Sequence, residues 1–142
     1  MRRLCAFALS IGFALAAAEP WTQSELLSPA QLAPDLNSAL VIHVGFPALY
    51  HGAHIAGSSY AGPGSKEQGI EELKKKVANE PRDRQIVLYC GCCPWDHCPN
   101  IRPAFAALKQ MGFTSVRALR IPTNLKTDWV DHGYPTAHGD AQ

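Results

Sequence analysis

Two short runs of apolar residues limit what this chain can fold into more than any other feature. The runs are ALVIHVG at residues 39–45 and QIVLYC at residues 85–90, and both contain several β-branched residues. Continuous apolar runs of this length are typical of strands that are covered on both faces, as in a parallel sheet. A third such run, TSVRALRI, follows at residues 114–121.

Helical segments lie between and around these runs. GIEELKKKVANE places three apolar residues on one helical face, and NIRPAFAALKQMGF has Asn100 in the position of an N-cap and Gly112 at its end. Ser28-Pro29 predicts a small helix near the start, and TNLKTDWVDHGYP predicts a short one that closes at Gly133. Strands that alternate with helices predict an α/β fold with a parallel sheet and helices on both faces.

The length and composition fit one globular domain. A chain of 142 residues is long enough for one hydrophobic core, in which Trp21 and Trp129 are expected to lie. With 46% hydrophobic residues, 18% charged residues and a formal charge of +1, the chain shows no sign of nucleic-acid binding.

The N-terminal stretch MRRLCAFALSIGFALAAAEPW has the parts of a secretory signal. Two arginines precede an apolar stretch from Leu4 to Leu15, and three alanines supply a cleavage site ahead of Glu19. The apolar stretch is too short for a spanning helix, although an uncleaved membrane anchor is the alternative. We therefore predict a signal peptide over residues 1–18, a domain over residues 19–142, and a secreted or periplasmic mature protein without membrane attachment.

The cysteines of the predicted mature chain fall in one stretch, IVLYCGCCPWDHCPN at residues 86–100. They are Cys90, Cys92, Cys93 and Cys98, since Cys5 lies in the signal peptide. Structural disulfides of exported proteins usually join distant segments, and no cysteine lies elsewhere in the mature chain to be joined. The stretch is therefore predicted to carry out local chemistry.

Over nearly all of its mature length, the chain resembles the rhodanese-like (sulfurtransferase) domain. The matching pieces, in order, are LLSPAQL, LVIHVG, YHGAHIAGS, IVLYC, AFAALKQMGF and DWVDHGYP. The resemblance implies a single α/β domain with a central parallel sheet of about five strands and helices on both faces. It also implies an active-site loop that begins at Cys90, where such domains accept a sulfur atom as a persulfide and pass it to a nucleophile.

The sequence departs from that family in its cysteine loop and in the residues at the end of its first long strand. The family's loop is usually shorter and has one cysteine, so the substrate cannot be carried over to this chain. His43 and Gly45 stand where the family often has Asp and Arg, so His43 is predicted to be a core residue rather than a catalyst. His54 is predicted to hydrogen-bond backbone groups and hold a turn.

The loop residues can support sulfur transfer. A cysteine attacks as a thiolate, and the inward amides of the loop and the following helix N-terminus are expected to lower the pKa of Cys90. Gly91 lets the backbone curl around the sulfur, and Cys92, Cys93 and Cys98 are predicted to be relay or resolving thiols. The expected partners are a small anionic sulfur donor and a thiol acceptor, with a redox partner protein as an option and no cofactor.

Two other interpretations of the cysteines stay open at this point. A disulfide between two of them could brace the loop. Alternatively, Cys92, Cys93, Cys98 and His97 could bind Cu(I) or zinc, with copper preferred because exposed thiolates favour it. The chain would then be a non-enzymatic metal-binding or thiol-disulfide redox module built on the same fold.

Four further residues near the cysteines complete the predicted site. Asp96 and His97 could act as acid or base, although a polar pair on a loop is more often simply solvated. Trp95 is expected to be a lid or packing residue at the mouth of the pocket. Arg102, in the first turn of the following helix, could bind the anionic donor.

Overall fold

The computed structural model describes residues 18–140, so the predicted signal peptide lies outside it except for Ala18, and cleavage stays a prediction. The strands are β1 (Leu26–Leu27), β2 (Leu40–His43), β3 (His54–Ile55), β4 (Ser59–Tyr60), β5 (Ile86–Tyr89), β6 (Val116–Leu119) and β7 (Thr136–Ala137). The α-helices are α1 (Pro29–Leu32), α2 (Pro47–Gly52), α3 (Glu67–Val77) and α4 (Ile101–Gln110). Short 3-10 segments cover Gln23–Glu25, Ala33–Ser38 and Trp95–His97, and Lys126–Val130 forms a π-helical turn.

Five of the strands form one parallel sheet in the order β1-β6-β5-β2-β4. The two predicted buried strands, β2 and β5, lie side by side near its centre and pair from Leu40 with Ile86 to His43 with Tyr89. The strands β3 and β7 form a separate antiparallel pair. The predicted α/β fold with a central parallel sheet of about five strands is confirmed.

The central strands divide their side chains between two hydrophobic cores, because successive residues of a strand point to opposite faces. Ile86 and Leu88 pack in the core that also contains Leu73 of α3 and Phe105 of α4. Val87 and Tyr89 pack in the other core, which contains Leu32, Leu119 and the fully buried Trp129. Helices therefore cover both faces of the sheet, as predicted.

The segments that follow the strands at their carboxyl ends form the edge of the sheet where ligand sites of open α/β folds lie. Cys90 comes directly after β5, and α4 begins eleven residues later at Ile101. Gly45 follows β2 at the same edge, next to the Cys90 sulfur. Among the described residues, no helix is long and apolar enough to cross a membrane.

Candidate functional site

The cysteine-rich loop begins at Cys90 and is fixed against the segment that follows β6. Gly91 has φ +70°, a backbone conformation that favours glycine, and a Cβ there would lie 2.8 Å from Leu125 Cβ. The Leu125 N–H donates to the Gly91 carbonyl at 3.1 Å, and the Trp95 N–H donates to the Pro122 carbonyl at 3.1 Å. Glycine at position 91 is therefore needed both for the turn and for the close approach of Leu125.

Three cysteine sulfurs meet at the end of β5. The Sγ atoms of Cys90, Cys92 and Cys98 all lie within 4.8 Å of one another, and we call these three residues the sulfur cluster. Cys90 Sγ donates to Cys92 Sγ at 3.1 Å, and Cys93 Sγ lies 2.9 Å from Cys92 Sγ. Cys90 and Cys98 are only 4% and 5% exposed, whereas Cys92 and Cys93 are half-buried. All four are free thiols in the described part of the chain, so no disulfide braces the loop there.

The side chain of Asn100 faces the sulfur cluster and is fully buried. Its Nδ2 donates to Cys90 Sγ at 3.4 Å and to Cys92 Sγ at 3.8 Å. Its Oδ1 accepts from the Ser65 N–H at 3.0 Å, which fixes the orientation of the amide. Asn100 does precede α4, but its side chain caps no backbone N–H of that helix. Asn100 is therefore a residue of the site, whereas its position in the sequence predicted a helix N-cap.

Negative charge in the sulfur cluster is favoured on Cys98 and disfavoured on Cys90. Contacts with the Cys90 and Cys92 thiols lower the pKa of Cys98 to about 2, and the backbone N–H groups of Asn100 and Ile101 also lower it, against the effect of burial. The contact with Cys92 lowers the pKa of Cys90, but the contact with Cys98 and burial outweigh it and raise that pKa to about 12. The predicted lowering of the Cys90 pKa is therefore wrong, because the contact with Cys98 and burial outweigh the contact with Cys92.

The other two thiols also have raised pKa values. Contacts with the Cys90 and Cys98 sulfurs, together with burial, raise the pKa of Cys92. Burial raises the pKa of Cys93. These directions leave Cys98 as the position where the four thiols hold their first negative charge.

His43 lies beside the sulfur cluster at the end of β2 and is fully buried, which confirms its prediction as a core residue. Its Nδ1 accepts a hydrogen bond from the Gly45 N–H at 3.2 Å, and its Nε2 has no partner within residues 18–140. Burial lowers the pKa of His43 to about 4, so the ring is neutral at neutral pH. A Cβ on Gly45 would lie 2.7 Å from His43 Cε1 and 2.9 Å from Cys90 Sγ, so only glycine allows this packing.

The outer part of the loop packs against the N-terminal segment. Trp95 begins the 3-10 turn, and its ring lies 5.1 Å from that of Trp21, in agreement with a packing role. Asp96 and His97 are exposed and line an open groove of about 660 Å³, which Cys98 also lines. His97 and Cys93 are not part of the group of mutually close ligand atoms, so only Cys92 and Cys98 of the predicted metal set belong to it, together with Cys90.

Arg102 is held by the carboxylate of Glu19. Its Nε and Nη2 each donate to one Glu19 oxygen at 2.8 Å, and its Nη1 donates to the Cys98 carbonyl at 3.4 Å. The guanidinium also lies over the ring of Trp21, 5.3 Å from its centroid. Binding of an anionic donor by Arg102, which stays a prediction, would require displacement of Glu19.

Solved structures with the same arrangement of elements decide the fold. The rhodanese-like domain of the Alr3790 protein from Anabaena sp. superposes with a TM-score of 0.61 at 19% identity, covering 80% of this chain and 79% of that one. The fold is rhodanese-like. The BH2092 protein from Bacillus halodurans superposes with a TM-score of 0.60 at 18% identity, covering 81% of this chain and 77% of that one. A rhodanese-related protein from Thermoplasma volcanium superposes with a TM-score of 0.52 at 22% identity, covering 80% of this chain and 97% of that one.

No protein-family model matches the chain, and no curated protein matches it. The likeness to solved structures therefore establishes the rhodanese-like fold alone. Within that fold, Cys90 lies where the sequence resemblance placed the first residue of the loop, directly after a central strand. The arrangement can do two kinds of chemistry: exchange of sulfur between neighbouring thiols, and binding of a soft metal ion.

Proposed function

We propose that this chain is an exported sulfurtransferase, which carries sulfane sulfur as a persulfide on Cys90 and passes it to a thiol. The position of Cys90 carries the proposal, because it is a buried cysteine at the carboxyl end of a central strand of a rhodanese-like fold. Sulfur contacts and the Asn100 amide surround it. Export is supported by the sequence pattern of residues 1–18.

In the first step, the thiolate of Cys90 attacks the outer sulfur of an anionic donor such as thiosulfate. A sulfur–sulfur bond forms on Cys90, the donor's own sulfur–sulfur bond breaks, and sulfite leaves with the electron pair. Cys90 must first lose its proton to a base from solvent, because the Cys98 sulfur, whose pKa is lowered, is too weak a base to take it. The Asn100 N–H, 3.4 Å from Cys90 Sγ, then donates toward the negative sulfur.

In the second step, Cys92 is the first acceptor. Its sulfur lies 3.1 Å from Cys90 Sγ, so the Cys92 thiol can attack the outer persulfide sulfur. The sulfane sulfur then moves to Cys92, and Cys90 leaves as a thiol that takes up the Cys92 proton. Because Cys92 and Cys93 are half-buried, an external thiol reaches them more easily than the almost fully buried Cys90.

Mass spectrometry after thiosulfate treatment tests the proposal on the reduced mature chain. We expect one additional sulfur on Cys90, and we expect it to stay there when Cys92→Ser removes the first acceptor. Cys90→Ser should take up none, and Cys93→Ser serves as the matched control that still takes up sulfur. An unmodified Cys90 in the Cys92→Ser variant, with sulfur found only on another cysteine, would remove the assignment.

A further inference from the structure

The spacing of the sulfur cluster matches that of a metal site. Three sulfurs that bind one ion through bonds of about 2.3 Å lie about 4 Å apart when they surround it in a plane. In the structure, the Cys90 and Cys92 sulfurs are 3.1 Å apart, and all three lie within 4.8 Å of one another. The Cys90–Cys92 distance is about 1 Å below the required value, and no pair exceeds that value by more than about 1 Å, so small rotations of the side chains would let the sulfurs surround an ion.

The surroundings of the cluster also suit a metal. Two of its three sulfurs are almost fully buried, which keeps water away from a bound ion. The Asn100 amide donates to two of the sulfurs and is itself held by the Ser65 N–H. Groups of this kind, which hydrogen-bond to ligand atoms, orient the ligands and tune the metal.

The chemistry of the ligands selects among metals. The group contains three cysteine sulfurs and neither an imidazole nor a carboxylate. Soft thiolates favour Cu(I), whereas zinc in structural sites almost always has four ligands. A fourth sulfur for zinc would have to come from Cys93, which contacts Cys92 but is not part of the mutually close group.

We propose that Cys90, Cys92 and Cys98 form a buried three-sulfur site for one monovalent copper ion. Each thiol releases its proton when the copper–sulfur bond forms, and the copper keeps its oxidation state. This site does not depend on the proposed sulfur transfer. Where both occur, they exclude each other, because Cys90 cannot bind copper through the same thiolate that carries the persulfide.

Titration of the reduced mature chain with Cu(I), supplied without air as its bicinchoninate complex, tests the site. We expect one equivalent to be taken from the chelator, with X-ray absorption showing three sulfur neighbours at about 2.3 Å. Cys92→Ser and Cys98→Ser should each weaken binding by about a hundredfold or more, because each removes one of three ligands. Asn100→Ala should weaken it by about tenfold, since it removes a group that only orients the ligands.

Cys93→Ser is the matched control, because its sulfur is close to the cluster without belonging to it, and its affinity for Cu(I) should change less than threefold. Circular dichroism of each variant shows that it is folded. No uptake of Cu(I), uptake that Cys98→Ser leaves unchanged, or a preference for zinc with four sulfur neighbours would each overturn the proposal. Copper uptake is measured without any sulfur donor, so its result does not depend on whether Cys90 captures sulfur.

Discussion

Two groups of buried side chains lie on opposite faces of the same strand end, and they are held together by different kinds of contact. On one face, the Tyr89 hydroxyl contacts Ser58 Oγ at 2.8 Å and accepts from the Ile55 N–H at 3.1 Å. The Tyr50 hydroxyl donates to the Ser58 carbonyl at 2.7 Å, and His54 Nδ1 lies 2.8 Å from the Tyr50 carbonyl. We call these side chains the tyrosine cluster. On the other face, the sulfur cluster is held by sulfur contacts of 2.9 to 3.8 Å.

This difference means that the tyrosine cluster stabilises the fold, whereas the sulfur cluster is available for reaction. Hydrogen bonds between oxygen and nitrogen atoms are strong and directional, so the tyrosine cluster fixes β3 and the turn after it on the sheet. Thiols are weak donors and acceptors, so the sulfur cluster contributes little to the free energy of unfolding and can exchange its contacts for a bond to sulfur or to a metal. The two residues that begin these groups, Tyr89 and Cys90, are neighbours in sequence.

The largest effect expected from this comparison is on activity. Cys90→Ser should lower cyanide-dependent sulfur transfer by at least about a thousandfold, because a hydroxyl is a far weaker nucleophile. Its free energy of unfolding should fall by about 1 kcal/mol or less, since the contacts it loses are weak. A disulfide that braces the loop in the exported protein would instead cost about 2 kcal/mol or more in at least two of the four serine variants. Thermal denaturation of all four, prepared under oxidising conditions, distinguishes these outcomes.

The second effect is a pH dependence of stability that we expect from His43, a residue that lies next to both groups. Its pKa is about 4 in the folded chain, below the ordinary value of 6.5, so the unfolded state binds more protons between these two values. Stability should therefore be fully present above about pH 6.5 and fall by about 3 kcal/mol as the pH drops to about 4.

Urea denaturation across this pH range measures the slope. His43→Gln should remove most of it, whereas His132→Gln, which changes an exposed histidine, should leave it in place. An equal slope in the wild type and in His43→Gln would show that the buried ring is not its source.

The third effect tests the tyrosine cluster directly. Tyr89→Phe leaves the buried Ile55 N–H and Ser58 hydroxyl without this partner, so it should lower the free energy of unfolding by about 2 kcal/mol. Sulfur capture by the adjacent Cys90 should change less than about twofold if the two faces are independent. Tyr134→Phe, on a partly exposed ring, is the control. A loss of activity as large as the loss of stability would contradict the separation of the two faces.

The smallest effect concerns the ion pair at the edge of the loop. Glu19→Gln should change the free energy of unfolding by less than about 1 kcal/mol, because the pair is partly exposed to solvent. It would also release the Arg102 guanidinium, so the KM for thiosulfate should fall by about twofold to threefold if Arg102 binds the donor. Arg102→Gln should raise that KM. Steady-state kinetics in which neither variant changes KM would remove Arg102 from the donor site.

Much of the fold could be predicted from the sequence, because strong apolar runs and helical spacing mark its long elements. The central strands β2, β5 and β6 and the helices α3 and α4 lie where these patterns placed them. The segment HIAGSSY contains two short strands, β3 and β4, which belong to different sheets. Two-residue strands are decided by tertiary contacts, so no local pattern could assign their partners.

The site was predicted less completely than the fold. The cysteines and their position after a central strand were evident from the sequence, and the turn-holding role of His54 is confirmed by its contact with the Tyr50 carbonyl. The role of Asn100 depends on a hydrogen bond from the Ser65 N–H, thirty-five residues away, so the sequence around Asn100 could not predict it. The lowered pKa of Cys98 depends likewise on its contacts with the Cys90 and Cys92 thiols and then on the helix amides, which only the folded loop determines.

The contact between Trp95 and Trp21 gives the loop a built-in optical reporter. Trp95 belongs to the cysteine-rich loop, and its ring lies 5.1 Å from that of Trp21, whereas Trp129 is buried in the core on the other face of the sheet. Indole emission depends on neighbouring rings and on solvent, so any opening of the loop changes the fluorescence of this pair while Trp129 provides a constant background. The rate at which the loop admits a sulfur donor or an ion can thus be recorded by stopped-flow fluorescence, without attaching a dye to any of the cysteines.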